Sequence, residues 1–204
     1  MRIDLHCHTK FSGDNHFEPE ALLAEAAAKG LDGVCITEHF SVDASLKVLD
    51  VTPPEGLVVL RGAEISTEIG HMLVFGPADD TWNLWGNAGE LVDHQEAVRA
   101  VKAAGGVCIP SHPYRGIVSM GDSAFEPDLF NAVETLNGAN PARMNEKAVK
   151  AARKNGMKGV GGSDAHSPGE VGRAYTVFEK WIYTVEELVV EIKSGRFRPE
   201  LMKG

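Results

Sequence analysis

The chain has 204 residues, 43% hydrophobic and 24% charged, a balance that suits one globular domain with a sizeable core. Its formal net charge of −9 argues against binding nucleic acid through a broad basic surface, but not against a small anionic substrate, since bound cations reverse the local sign. No run approaches about 18 consecutive apolar residues, so no membrane span is expected.

In chain order, residues 2–8 predict a first strand and 9–17 a polar loop turning at Ser12-Gly13-Asp14-Asn15. Residues 18–29 predict a helix, with Pro19 in its first turn, alanines and leucines along it and Gly30 as its stop. A second strand is expected over 33–37, a short helix near 44–49, a turn at Pro53-Pro54-Glu55-Gly56, and a third strand over 57–66 with 71–75 as its hairpin partner. Segment 76–89 is irregular and carries Trp82 and Trp85. It reads as a long surface loop anchored by its indoles, with a lid or substrate platform as the functional alternative. An amphipathic helix is expected over 90–104, with Leu91, Val98 and Val101 on one face. There follow a strand over 107–112, a polar loop over 114–125, a strand over 132–136, a helix over 141–154 capped by Gly156, a strand over 159–162 and a last strand over 173–178. Thr184-Val185-Glu186-Glu187 has the form of a capping box and opens a final helix ending at Gly195. This alternation favours a parallel α/β fold in a single domain spanning 1–204, with an open doubly wound sheet as the alternative.

Chemistry gathers at the strand ends. His6 and His8 flank Cys7, and alternation along a strand turns both imidazoles to one side and the thiol to the other. Two imidazoles on one edge form half of a transition-metal site; a pair of buried strand histidines is the plain alternative. Further fragments follow: Thr37-Glu38-His39, Gly62-Ala63-Glu64-Ile65-Ser66, Gly70-His71, Ser111-His112-Pro113, Val133-Glu134 and Gly162-Ser163-Asp164-Ala165-His166. Most of them close an apolar run, and a parallel barrel collects its reactive groups at the C-terminal ends of strands. Cys7, Cys35 and Cys108 lie in apolar runs with no CxxC spacing and read as buried thiols of a reducing compartment. No signal-peptide pattern is present, and a cytoplasmic location is expected.

The ordered set HxHT, TEH, GAEIS, GH, SHP and GSDAH resembles the polymerase and histidinol phosphatase (PHP) family of metal-dependent phosphoesterases, from Asp4 to about Phe178. The resemblance implies a distorted seven-stranded, TIM-like β/α barrel, two to three divalent ions (zinc, manganese or iron) and hydrolysis of a phosphate ester. It also implies a ligand set. One ion would take His6, His8, Glu64 and Asp164; a second would share Glu64 and add His71 and His112; a third would take Asp14, His39 and His166. His16 is the alternative to Asp14 in its loop.

Glu64 suits a bridging role because a carboxylate offers two oxygens to two cations. Arg115 follows Ser-His-Pro-Tyr and is placed to clamp a phosphate, so Glu64, Asp164 and Arg115 form the expected catalytic set. Glu38 and Glu134 read as supports for neighbouring ligands or as structural carboxylates, and His94 as a solvated surface residue. Arg143 and Arg173 are weaker phosphate ligands; Arg173 paired with Glu170 is the plain reading. The expected reaction is attack of activated water on a small phosphorylated metabolite or nucleotide, with nucleic acid entering only as a substrate. The alternatives are a non-catalytic metal-binding accessory domain and another barrel metallohydrolase acting on an amide or amine, whose usual carbamylated or ligating lysine has no counterpart here. The residues leave open the substrate, the metal, the general acid and the oligomeric state.

Overall fold

The computed structural model describes residues 1–39, 42–76 and 91–203. Its elements in chain order are β1 (Arg2–Cys7), α1 (Pro19–Ala28), β2 (Gly33–Ile36), α2 (Val42–Leu46), β3 (Val58–Arg61), β4 (Ala63–Thr67), β5 (Gly70–Phe75), α3 (His94–Ala103), β6 (Val107–Pro110), β7 (Val133–Asn137), α4 (Ala142–Lys154), β8 (Gly159–Gly162), β9 (Ala174–Phe178), α5 (Val185–Ser194) and β10 (Phe197–Leu201). The segment with Trp82 and Trp85 lies outside the described residues. None of the described helices is long and apolar enough to cross a membrane.

Strand β1 is central. It runs parallel to β2, which runs parallel to β3, and on its other edge it is antiparallel to β9, which pairs antiparallel with β10. A second sheet has the antiparallel order β4-β5-β6, and β7 and β8 form a parallel pair. The fold is therefore mixed α/β. Ladder pairing among the described residues gives three sheets, and it does not by itself trace the distorted seven-stranded barrel that the resemblance implies. Two glycines sit where one sheet gives way to the next. The expected strand over 57–66 breaks at Gly62, where a Cβ would meet the Phe75 ring at 2.6 Å. Gly162 lets β8 pack against β1 without a ladder; a Cβ there would lie 2.4 Å from the His6 Cβ. Isolated bridges then join the sheets where the motifs lie, Cys7 to Ala165 and His39 to Glu64.

The helices are fixed by capping and by burial. Pro19 opens α1, the Asp93 carboxylate accepts the Glu96 N–H at the start of α3, and Thr184 and Glu187 complete the predicted capping box of α5. Leu22, Leu23 and Ala26 of α1 pack with Val34 and Ile36 of β2. Val98 and Val101 of α3 join Ile65, Met72 and Val74, while Leu188, Val189 and Ile192 of α5 cover Ile3, Leu5 and Phe75. Each large apolar side chain so buried contributes about 1.5–3 kcal/mol. The first helical residue of α3 is His94, and Leu91 lies before it and is exposed, so Leu91 is not part of the apolar face. A strand after α5, β10, follows the one expected to be last.

Candidate metal centre

The motif residues converge on one point at the end of β1. His6 and His8 are fully buried and face the same two carboxylates. His6 Nε2 lies 3.2 Å from Glu64 Oε2 and 3.5 Å from Asp164 Oδ1, and His8 Nε2 lies 3.4 Å from each of the same oxygens. Cys7 points away, toward Ser163 Oγ at 3.8 Å. On the other side of Glu64, His112 Nε2 is 2.8 Å and His71 Nδ1 3.4 Å from Oε1. His39 Nδ1 is 3.3 Å from Oε2. Asp14 reaches in from its loop, with Oδ2 3.1 Å from both His39 Nε2 and His166 Nε2. His16 instead lines a cavity of about 390 Å³ next to His166, with Phe17, Ala21 and Pro168.

Candidate ligand atoms fall into three groups: His6, His8, Glu64 and Asp164; Glu64, His71 and His112; and His8, His39 and His166. Within each group the atoms lie within 4.8 Å of one another. Two ligands about 2.0–2.2 Å from one tetrahedral ion are about 3.4 Å apart, which matches the 3.2–3.5 Å spacings of the first group. A second observation points the same way. His6 Nε2 and His8 Nε2 are buried and lack a hydrogen-bond partner, since the nearby carboxylate oxygens lie outside bonding geometry. An unsatisfied buried polar atom costs about 1–3 kcal/mol, and a divalent cation in the middle of the group removes that cost. The residues therefore fit metal binding.

The electrostatics of the metal-free centre are those of interleaved acids and imidazoles. Burial opposes charge on His6, but Asp164, Glu64 and Glu134 outweigh it and hold its pKa well above the ordinary value. Burial pushes Glu64 and Asp164 up, yet the surrounding imidazoles, His6 foremost, hold both well below the usual carboxylate range. His39 moves the other way, lowered to about 4 by burial and by its neighbour His8.

Around the ligands lies a shell of buried supports. Glu134 Oε1 is 3.0 Å from His6 Nδ1, and its Oε2 accepts the His112 N–H at 2.7 Å. The Glu38 carboxylate accepts bonds from Thr9 and Ser12, and Ser12 Oγ lies 3.0 Å from His8 Nδ1, while the Glu38 backbone carbonyl accepts the Glu64 N–H at 3.0 Å. Arg115 bonds Asp164 Oδ2 and Asn137 Oδ1, each at 2.5 Å, and Asn140 Oδ1 at 2.8 Å. Its guanidinium thus sits at the rim, held by three acceptors. Arg173 lies 3.7 Å from Glu170. His94 is not simply solvated, because Glu68 holds both its ring and its backbone N–H.

Sequence reasoning missed Asn137 and Asp4. Asn137 donates to Glu134 Oε2 at 2.9 Å and to Asp164 Oδ2 at 3.2 Å while accepting from Arg115. Buried Asp4 accepts the backbone N–H groups of Ser163 and Gly172 and so ties β1 to the Asp164 turn. The position of Asp4, two residues before His6, was the available signal. His112 and Asp164 have φ of 29° and 55°, values that strain a non-glycine backbone and that cluster at functional sites.

A family model described as "PHP domain" matches residues 4–116, and one described as "PHP-associated" matches 142–197. A probable phosphatase of Caldicellulosiruptor bescii is 27% identical over 199 residues, covering 85% of this chain and 83% of the relative. Among solved structures, PsfC from Pseudomonas syringae superposes with a TM-score of 0.81 at 18% identity, over 98% of this chain and 91% of that one. A two-domain Bacteroides vulgatus protein containing a predicted PHP-like metal-dependent phosphoesterase gives 0.71 at 19% identity, over 98% of this chain and 64% of that one.

Proposed function

The chain belongs to the PHP domain family, and on that premise we propose that it is a metal-dependent phosphoesterase hydrolysing a phosphate ester of a small metabolite or nucleotide. The observation that carries this reading is the convergence of six histidines, Asp14, Glu64 and Asp164 at the end of β1, with His6 Nε2 and His8 Nε2 buried and unpartnered. We read the three sheets as arcs of an interrupted barrel of the kind the family resemblance implies. The ligand groups suit up to three ions of zinc, manganese or iron, since imidazole and carboxylate accept each of them.

Bound divalent ions supply Lewis acidity toward phosphoryl oxygens and make water acidic enough to act as a nucleophile near neutral pH. The chain supplies the rest. Glu64 presents an oxygen to each of two ligand groups and so fixes their separation. Ser111 Oγ, donating to Glu64 Oε1 at 2.6 Å, and Glu134, seated on His6 and His112, hold the ligand rings and carboxylate in register. Arg115 is the cation at the rim, and exchanging one of its three acceptors for a phosphoryl oxygen would orient the substrate. The cavity beside His166 gives a leaving alcohol a place next to the centre, lined by Phe17, Ala21 and Pro168.

The test is elemental analysis of the purified protein combined with a phosphate-release screen with and without Mn²⁺. Two to three metals per chain together with release supports the reading. A chain that stays metal-free and inactive after reconstitution overturns it. Glu64→Gln separates catalysis from a purely structural metal: turnover should vanish while the fold persists.

A further inference from the structure

Helix α4 carries five bases against one acid, in a chain whose formal charge is −9. Arg143, Lys147, Lys150 and Lys154 recur at spacings of four, three and four residues, which places them in one line along the helix surface. The line is about 16 Å long at 1.5 Å per residue. All four side chains are exposed, and none makes an ion pair among the described residues. Elsewhere in the same chain Lys10, Lys29, Arg2, Arg173, Lys180, Arg196 and Arg198 each have a carboxylate partner. Lys47, Arg99, Lys102, Lys158 and Lys193 also lie outside the ion pairs of the described residues, but they are scattered over the fold, whereas those of α4 fall in one line. Complementing the helix dipole explains Lys154 in the last turn. It does not explain Arg143, which sits in a first turn without acidic residues, where a positive charge is unfavourable.

Two further features mark this line as a surface that faces a ligand. A cavity of about 400 Å³ is lined by Lys147, Lys150, Lys154, Asn155 and Tyr114, its three cations set against one carboxylate, Asp122, which accepts the Tyr114 hydroxyl at 2.8 Å. Lys147 Nζ is held 3.7 Å above the Tyr114 ring. Tyr114 lies between His112 and Arg115 in sequence, and Asn140, just before α4, binds the Arg115 guanidinium at 2.8 Å. The basic line is thus continuous with the rim of the metal centre.

We infer that α4 is an anion track. It takes the backbone phosphates of a short single-stranded oligonucleotide whose terminal phosphate enters the metal centre. A single small ester needs no line of cations about 16 Å long; a chain of phosphates does. This inference rests on the proposed phosphoesterase reading and narrows its substrate class. The overall negative charge then repels nonspecific polyanions from the remaining surface while one face admits them.

The test is binding of a fluorescein-labelled oligothymidylate of about twelve residues, with phosphorothioate linkages that resist cleavage, followed by anisotropy at increasing salt. Each phosphate contact to a single strand contributes about 0.7 to the log–log salt slope. Four contacts predict about a 50-fold loss of affinity when salt rises about fourfold. Lys147→Gln/Lys150→Gln/Lys154→Gln, which keeps helix propensity, should lose only about threefold over the same range. Equal slopes for the two proteins, or no binding by the native chain, overturns the track. Hydrolysis of p-nitrophenyl phosphate is measured alongside and should be the same in both proteins, because that ester has no distal phosphate. Absent hydrolysis with the difference in slopes retained defeats the phosphoesterase reading and leaves the track standing.

Discussion

Replacing Glu134 by Gln tests how far the ligand rings depend on their supports. Three donors converge on this one carboxylate: the His6 ring at 3.0 Å, the His112 backbone N–H at 2.7 Å and Asn137 Nδ2 at 2.9 Å. With His6 binding metal through Nε2, its Nδ1 carries the proton and donates. A glutamine fills the same volume but offers one oxygen and an NH₂, so at least one of the three donors must face another donor. Loss of such a support typically lowers metal affinity about 10–100-fold, or about 1.4–2.7 kcal/mol. His6 belongs to one ligand group and His112 to another, so two binding events should weaken together. The assay is calorimetric titration of Mn²⁺ or Zn²⁺ into EDTA-stripped protein, with thermal melting of the stripped forms as the control for folding. Stoichiometry should hold while affinity falls. Affinity within about threefold of native, in a variant with an unchanged fold, would refute the idea that Glu134 sets the ligand geometry.

Asp14→Ala should remove the contribution of one ion and spare the others, because Asp14 touches only His39 and His166 among the ligands; His16→Ala should leave metal content unchanged. Reversed effects in elemental analysis would transfer the loop-ligand role to His16. Metal uptake should release protons. In the metal-free centre burial disfavours charge on His8, but Asp164 and Glu64 win and push it up to about 9. The ring is therefore protonated near pH 7 and must lose that proton to coordinate, so apparent affinity rises with pH from about 7 to about 9. A binding constant flat over that range contradicts this. Burial pushes the three thiols up, Cys108 to about 12. A thiol reagent should label none of them in the native protein and all three after denaturation; fast native labelling would place a cysteine at the surface.

Much of the centre was legible because metal binding restricts residue type. Histidines and carboxylates at strand ends are a small vocabulary, and strand alternation already put His6 and His8 on one side. The supports were harder to read. Asn137, Asp4 and Ser111 act through hydrogen bonds to residues distant in sequence; the place of Asp4 two residues before His6 and of Ser111 beside His112 was a local signal, but nothing near Asn137 distinguishes it from an ordinary strand-end residue. Sheet topology was legible only in part. The break at Gly62 depends on how closely Phe75 approaches from a neighbouring strand, and β10 is a mixed polar and apolar segment that pairs only because β9 offers it an edge. The line of bases along α4 was present as spacing but hidden by the net charge, since a sum over the chain carries no position.

The central place of β1 has a consequence for how the protein matures. His6 and His8 are separated from Asp164 and β9 by more than 150 residues of chain. Until that portion is in place, β1 has one open edge and its imidazoles have Glu64 and Glu134 but not Asp164 as counter-charge. Closing the structure therefore waits on contacts nearly the whole chain apart, which slows folding and exposes an unpaired strand while it does. A premature stop between residues 113 and 163 would leave a product that keeps five of the six clustered imidazoles but lacks Asp164, so the group of His6, His8, Glu64 and Asp164 could not be completed.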